Sequence, residues 1–283
     1  MRGGLLTLIL LMRAVSAQST ECLELIELAE RHIKDDKKNE VPYLSSDEQD
    51  QIRLKLVDGV YVNSDGSLAD IRGMKLMIVE KDGSILADWA NSRDPFHHSS
   101  LAAGGSVAMA GWVSIKNGKP SLVTNTSGHY TPSLERLRSL LIFWKSRVVD
   151  LNDMEVGVRV AITSSLASTF YYTFPALDFL DLMEFHPKDA KGLLKLIIES
   201  DLNLTKRAMA IAHLYMIDGA ISEEELSLLR TVVGAGDRQV ISDIFDLLPS
   251  DHFEKLLNSL SDLEFPELKS LRDQFEELKL ERH

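Results

Sequence analysis

Two short turns constrain this chain more than anything else in it. Lys81-Asp82-Gly83-Ser84 separates the β-prone runs 75–79 and 85–90, and Lys116-Asn117-Gly118-Lys119 separates 107–115 from 120–124. Asp-Gly and Asn-Gly accept the left-handed backbone that a tight hairpin demands, so each quartet predicts a β-hairpin. Thr131-Pro132-Ser133 then places a proline where a first helical turn tolerates it. Leu134, Leu137, Leu140, Leu141 and Trp144 follow at helical spacing to about residue 148. Residues 156–162 read as one more buried strand. The pattern from Met74 to Ile162 is ββββαβ, which predicts an α+β fold: an antiparallel sheet of two consecutive hairpins plus one further strand, with a packed helix.

The flanks are helical. Residues 21–33 carry apolar positions at helical spacing and lead into a charged run, 34–40, that reads as solvated. Ser45-Ser46-Asp47-Glu48 offers a cap for a short helix through Leu56. After Pro175 the period is helical to the end, with candidate helices at 176–184, 188–199, 204–217, 222–233, 237–247, 250–260 and 266–280, broken at Gly and Pro positions. The expected organisation is therefore a leader over 1–17, a helix within 18–40, an α+β module over 41–170 and an acidic all-α domain over 176–283.

Charge and cysteine content narrow the chemistry. The net charge is −12, and from Ala176 onward 22 acidic residues face 12 basic ones. A chain this acidic lacks the cationic surface that a nucleic-acid partner requires. A lone Cys22 excludes an internal disulfide and a cysteine-based zinc site, and reads as a half-buried apolar residue. The N-terminus has a basic start, an apolar run at 5–12 and small residues before Ala17, the pattern of a secretory signal. That predicts a secreted or periplasmic protein, the alternative being a cytosolic protein starting near Met12. No segment is long and uncharged enough for a transmembrane helix.

One stretch concentrates polar chemistry. Phe96-His97-His98-Ser99-Ser100 precedes the second hairpin, and Ser127-Gly128-His129-Tyr130-Thr131-Pro132 follows it. A hairpin returns the chain to where it began, so His98, Ser99, Ser100, Ser127, Gly128, His129 and Tyr130 are expected to converge at one end of the sheet. They would supply hydroxyls, imidazoles and an aromatic face, with Gly104, Gly105 and Gly128 admitting a ligand to the backbone.

The combination His98-Ser99-Ser100, Gly105, Ala110-Gly111, Gly118 and Ser127-Gly128-His129-Tyr130-Thr131-Pro132 resembles a segment of the plant IQ-motif calmodulin-binding proteins. Related segments occur in uncharacterised bacterial and fungal proteins, some resembling effectors. The resemblance covers about residues 70–150 and implies no settled reaction. The chain contains no Ile-Gln-x-x-x-Arg-Gly sequence, which argues against calmodulin as a partner. A shorter resemblance, to the TerB family, covers the run through Asp218-Gly219-Ala220-Ile221-Ser222 to Glu225, within 204–233. Taken as a calcium loop it lacks two oxygen ligands, and Ser222 with Glu225 reads instead as a helix capping box.

The leading expectation is a binding protein of bacterial effector or secreted type, holding a small polar molecule or a protein partner. The competing expectation is an enzyme using the same pocket. An NAD transferase would place His98 on a ribose, Tyr130 on nicotinamide and Glu155 at the reacting carbon. A hydrolase would use Ser99 or Ser127 with a His base and Asp94 as orienting carboxylate. A metal site from His97, His98 and His129 is disfavoured, because neighbouring residues on a strand face opposite ways. No metal and no cofactor is assigned. A carboxylate within reach of His98 or His129 would favour catalysis over plain binding.

Overall fold

A computed structural model describes residues 22–88, 95–161, 169–187, 190–200 and 204–218, together with 202, 222, 225 and 227–229. The leader, Asp94 and the expected helices beyond 233 lie outside the described residues. Two compact units divide the chain: residues 1–160 with 170–183, and residues 161–169 with 184–283.

The first unit is built on a curled, mixed sheet of eight strands. The strands are β1 (Arg53–Val57), β2 (Val60–Val62), β3 (Ile71–Val79), β4 (Ile85–Asp88), β5 (Met109–Lys116), β6 (Lys119–Thr124), β7 (Glu155–Ala161) and β8 (Thr169–Pro175), in the order β2-β1-β4-β3-β5-β6-β7-β8. Both expected hairpins form, β3 with β4 and β5 with β6. At the second turn Asn117 and Gly118 have φ of 50° and 78°, the left-handed pair that selects Asn-Gly.

The sheet departs from expectation in three ways. It is mixed, because β7 pairs with β6 in parallel, Val123 opposite Val156. Helix α4 (Leu134–Ser146) makes the crossover between them, so the chain re-enters the sheet from the same end. A further hairpin, β1 to β2, stands where a helix was expected through Leu56; helix α2 (Ser46–Ile52) stops at Ile52. Its turn is Asp58-Gly59, with φ of 48° and 81°, a third instance of the same signal. Strand β8 also lay beyond the sequence reading.

The N-terminal helix is displaced as well. Residues 22–29 are not helical; Ile26 is bridged to Val107, and helix α1 spans Glu30–Lys38. Cys22 is exposed rather than half-buried. Helix α3 is the single turn His98–Leu101, so His97 and His98 are not on a strand.

Helix α4 packs its Leu137, Leu140, Leu141, Phe143 and Trp144 face inward. Trp144 Nε1 donates to Tyr61 Oη at 2.8 Å, and Tyr61 Oη donates to the Gly83 carbonyl at 2.8 Å, tying helix, β2 and the first hairpin turn together. Helix α5 (Ala176–Met183) completes this unit. Ridges of Leu76, Ile78, Leu86, Leu101, Val107 and Tyr130 form the core beneath the polar end.

The second unit contains α6 (Ala190–Glu199) and α7 (Leu204–Asp218). Leu193, Leu194 and Ile197 are buried on α6, and Ala208, Ile211 and Ala212 on α7. Arg207 Nε donates to the Ile198 carbonyl at 2.7 Å. Ser222 and Glu225 form the expected reciprocal cap, with Ser222 N donating to Glu225 Oε2 at 2.7 Å and Glu225 N to Ser222 Oγ at 3.2 Å.

Candidate functional site

The segments on either side of the second hairpin do meet. Ser99 Oγ lies 3.3 Å from His129 Nδ1, across 30 residues of chain. What converges, however, divides into a buried set and an open set.

The buried set is wired to itself. His98 Nε2 donates to the Gly111 carbonyl at 2.8 Å, and the side chain is 6% exposed. Burial pushes its pKa down to about 4, the hydrogen bond to Gly111 offsetting part of the effect. A Cβ on Gly111 would stand 1.8 Å from the Thr124 carbonyl oxygen, so only glycine lets β5 lie this close to β6. Ser100 Oγ accepts from His97 N at 3.0 Å. Ser127 Oγ accepts from Tyr130 N at 3.3 Å, and Tyr130 Oη donates to the Gly105 carbonyl at 2.6 Å. Burial raises the Tyr130 hydroxyl pKa, keeping it a neutral donor. Asn125 Nδ2 donates to the Pro132 carbonyl at 3.2 Å, and Asn125 Oδ1 accepts from Arg159 N at 2.7 Å. The Asn125 amide is thereby committed inside the protein, although Asn125-Thr126-Ser127 matches the N-glycosylation sequon.

The open set centres on His129, whose side chain is 20% exposed. The His32 ring is tilted against it at 4.7 Å between centroids, and the His97 ring meets it edge-on at 4.8 Å. Beside it Gly128 is exposed, with nothing within 4 Å of where a Cβ would stand. Behind it lies Asp36, 2% exposed, with Oδ1 3.8 Å from His129 Nδ1. Tyr43 Oη donates to Asp36 Oδ2 at 3.0 Å, and its own pKa is pushed up to about 12 by burial and by that carboxylate. Burial lowers the His129 pKa more than Asp36 raises it, with His97 and His32 adding to the lowering. The Asp36 contact is therefore a carboxylate beside a neutral imidazole at pH 7, not a full ion pair.

Asp36 was invisible in the sequence because it sits in the run read as solvated. The usable signal is spacing: His32 and Asp36 are four apart on α1 and share one face, with Ile33 beside them on the core. Gly104 takes a role other than ligand access. Its φ is 75°, and a Cβ there would come within 2.7 Å of the Tyr43 ring.

The enzyme expectations lose their geometry here. His98 and Tyr130 have no face open to a ribose or a nicotinamide ring. Glu155 is exposed at the start of β7 opposite Leu122, away from the end of β6 that leads to His129. Ser99 and Ser127 are 0% and 1% exposed. Asp36 and Ser99 both meet Nδ1, whereas a Ser-His-Asp relay needs them on opposite ring nitrogens. Among the described residues no group of three or more His, Cys, Asp or Glu is arranged to hold a metal ion, and no helix is long and apolar enough to cross a membrane. A cavity of about 410 Å3 lies instead between residues 22–24 and α4, lined in part by Leu140 and Phe143, and includes none of the motif residues.

Residues 56–137 match the family model of the IQ motif-containing protein middle domain. IQ domain-containing protein IQM3 of Arabidopsis thaliana is 30% identical over 121 residues, 41% of this chain and 26% of that protein. IQ domain-containing protein IQM2 of the same plant is 31% identical over 83 residues, 29% of this chain and 14% of that protein. The chain thus spans about a quarter or less of the length of these relatives. No solved structure matches it. Both relatives are plant proteins, and neither match supports secretion or an effector role. The middle-domain match runs from β1 into α4 and contains His97, Ser99 and His129, but not His32 or Asp36.

Proposed function

We propose that the protein is a recognition module whose open face, made by His32, His97 and His129, takes a small polar molecule or a polar side chain of a protein partner. One observation carries this reading. Imidazoles from three separate elements meet at His129, whose ring centroid lies 4.7 Å from that of His32 and 4.8 Å from that of His97, and His129 itself sits beside a nearly buried carboxylate, although clustering the rings and desolvating Asp36 both oppose folding. Such an arrangement contributes little to the core, so its rationale lies at the surface. In this proposal the expected polar pocket narrows to the open face at His129. Calmodulin is not part of the proposal, since the chain has no Ile-Gln-x-x-x-Arg-Gly sequence. Nucleic acid is set aside on the acidic charge. Export through residues 1–17 would show as a mature N-terminus at Gln18; an intact Met1 recovered from a secreting host would refute it.

The test is a thermal-shift screen of the full chain against nucleotides and polar metabolites, run in parallel on His129→Ala. A compound that raises the melting temperature of the parent alone supports the proposal, and uniform indifference across the panel removes it.

A catalytic variant of the reading is favoured by Asp36. In the tautomer that turns Nδ1–H toward this carboxylate, Nε2 is left bare to take a proton, as a general base requires; the opposite tautomer serves binding. Chemical conversion of a panel compound, lost in Asp36→Asn, distinguishes catalysis from binding.

A further inference from the structure

The open face also has a definite charge balance. Arg31 Nε donates to His32 Nε2 at 3.3 Å, which puts a permanent cation beside the three imidazoles. Asp36 and, more weakly, Asp35 act on His129 from the same helix, and Tyr43 bonds Asp36 from the following segment. His97 and His98 contribute from the α3 side, and Tyr130, next to His129, keeps its hydroxyl turned to Gly105. With the imidazoles neutral, one cation faces two carboxylates and the face repels anions. Each imidazole proton adds a positive charge, and the His129 ring, crowded by two others, has most to gain from a counter-ion.

We infer that this face binds an oxyanion of the sulfate or phosphoryl kind, with Arg31, His32, His97 and His129 as its donors, and takes up protons as it does so. The inference rests on the recognition reading above and names its ligand class. In the neutral tautomer that accepts at Nδ1 from the Ser99 hydroxyl, 3.3 Å away, the His129 ring has Nε2–H as its donor. Once protonated, Nδ1–H turns to Ser99 and Asp36 while Nε2–H still donates outward, so the buried carboxylate steadies the charged ring instead of competing with the ligand. Gly128 leaves the space beside the ring open. An oxyanion presents several acceptors at once, which matches separate donors converging from α1, the start of α3 and the turn after β6.

Sulfate is the decisive probe, because it stays doubly charged across the range of interest and any pH effect belongs to the protein. Isothermal titration of the full chain with sodium sulfate at pH 5.5 and pH 7.5, at ionic strength matched with sodium chloride, should show binding about tenfold or more tighter at the lower pH. The heat should vary with the ionisation enthalpy of the buffer, reporting proton uptake. His129→Gln should lose the binding and Arg31→Gln should weaken it, with circular dichroism confirming that each variant is folded at both pH values. Equal affinity at the two pH values, no heat at pH 5.5, or binding unchanged in His129→Gln would each overturn the inference. If the metabolite screen finds a His129-dependent ligand while sulfate fails, the ligand class falls and the recognition reading stands. Failure of both removes both.

Discussion

His98 and His129 belong to the same motif and both lose basicity on folding, yet they do opposite work. His98 is enclosed and spends its Nε2–H on the Gly111 carbonyl. His129 keeps an edge in solvent, between two other imidazoles and above Asp36. A motif that looks uniformly chemical in sequence is thus mostly hydrogen-bond wiring: His98 ties α3 to Gly111 on β5, Tyr130 ties the turn after β6 to Gly105, and Ser100 and Ser127 brace their own segments. The wiring holds His97 and His129 in place, and α1, outside the motif, brings His32 and Asp36 to them. Motif membership marks the scaffold; exposure marks the residues free to meet a partner.

The sharpest break in that comparison is at Gly111. Gly111→Val drives a side chain into the Thr124 backbone, and should cost at least about 3 kcal/mol or prevent folding, read by urea denaturation. His98→Ala comes next, at about 2–4 kcal/mol, from a lost hydrogen bond and a cavity.

The pH dependence has the same origin. Folding holds His98 neutral to about pH 4, while in the unfolded chain it takes up a proton near 6.5. Acid therefore favours the unfolded chain: the stabilisation is complete above about pH 6.5 and is lost as the pH falls toward 4. The His98 share is up to about 3 kcal/mol. His213, buried on α7 with its pKa pushed down to about 3, adds to the same trend from the second unit. Denaturation at pH 7 and pH 4.5 should show the loss in the parent and a smaller one in His98→Asn.

The smallest effect on stability is expected at the open residue. His129→Ala should change unfolding free energy by under about 1 kcal/mol while abolishing ligand-induced stabilisation. A large destabilisation there would erase the distinction between the two histidines.

The hairpins and α4 were legible in the sequence because turn chemistry and side-chain period are local signals. Asp58-Gly59 carries the same signal, but the capped apolar spacing that leads to Leu56 also fits a helix, so the local pattern there supports two periods. The parallel pairing of β7 and the addition of β8 depend on which edge the chain returns to, which no local pattern encodes. For the site, the return of His129 to Ser99 followed from hairpin geometry. Which of the converging groups would be buried did not, since His97 and His98 are indistinguishable until α3 forms and turns one inward. Asp36 was hidden by its neighbours: among Lys34, Asp35, Lys37 and Lys38, only docking of α1 singles out the one carboxylate that faces the core.

The division of the motif is tested most directly by following the histidine Cε1–H resonances by NMR from pH 8 to pH 4, assigned with single His→Gln variants. The account predicts that the His98 resonance keeps its neutral position from pH 8 through the ordinary imidazole range and moves only as the pH approaches about 4. His129 should titrate below 6.5, and lower still in Asp36→Asn, where the carboxylate that opposes the effect of burial is gone. His98 titrating near 6.5 like a solvated imidazole, or His129 indifferent to Asp36→Asn, would contradict it.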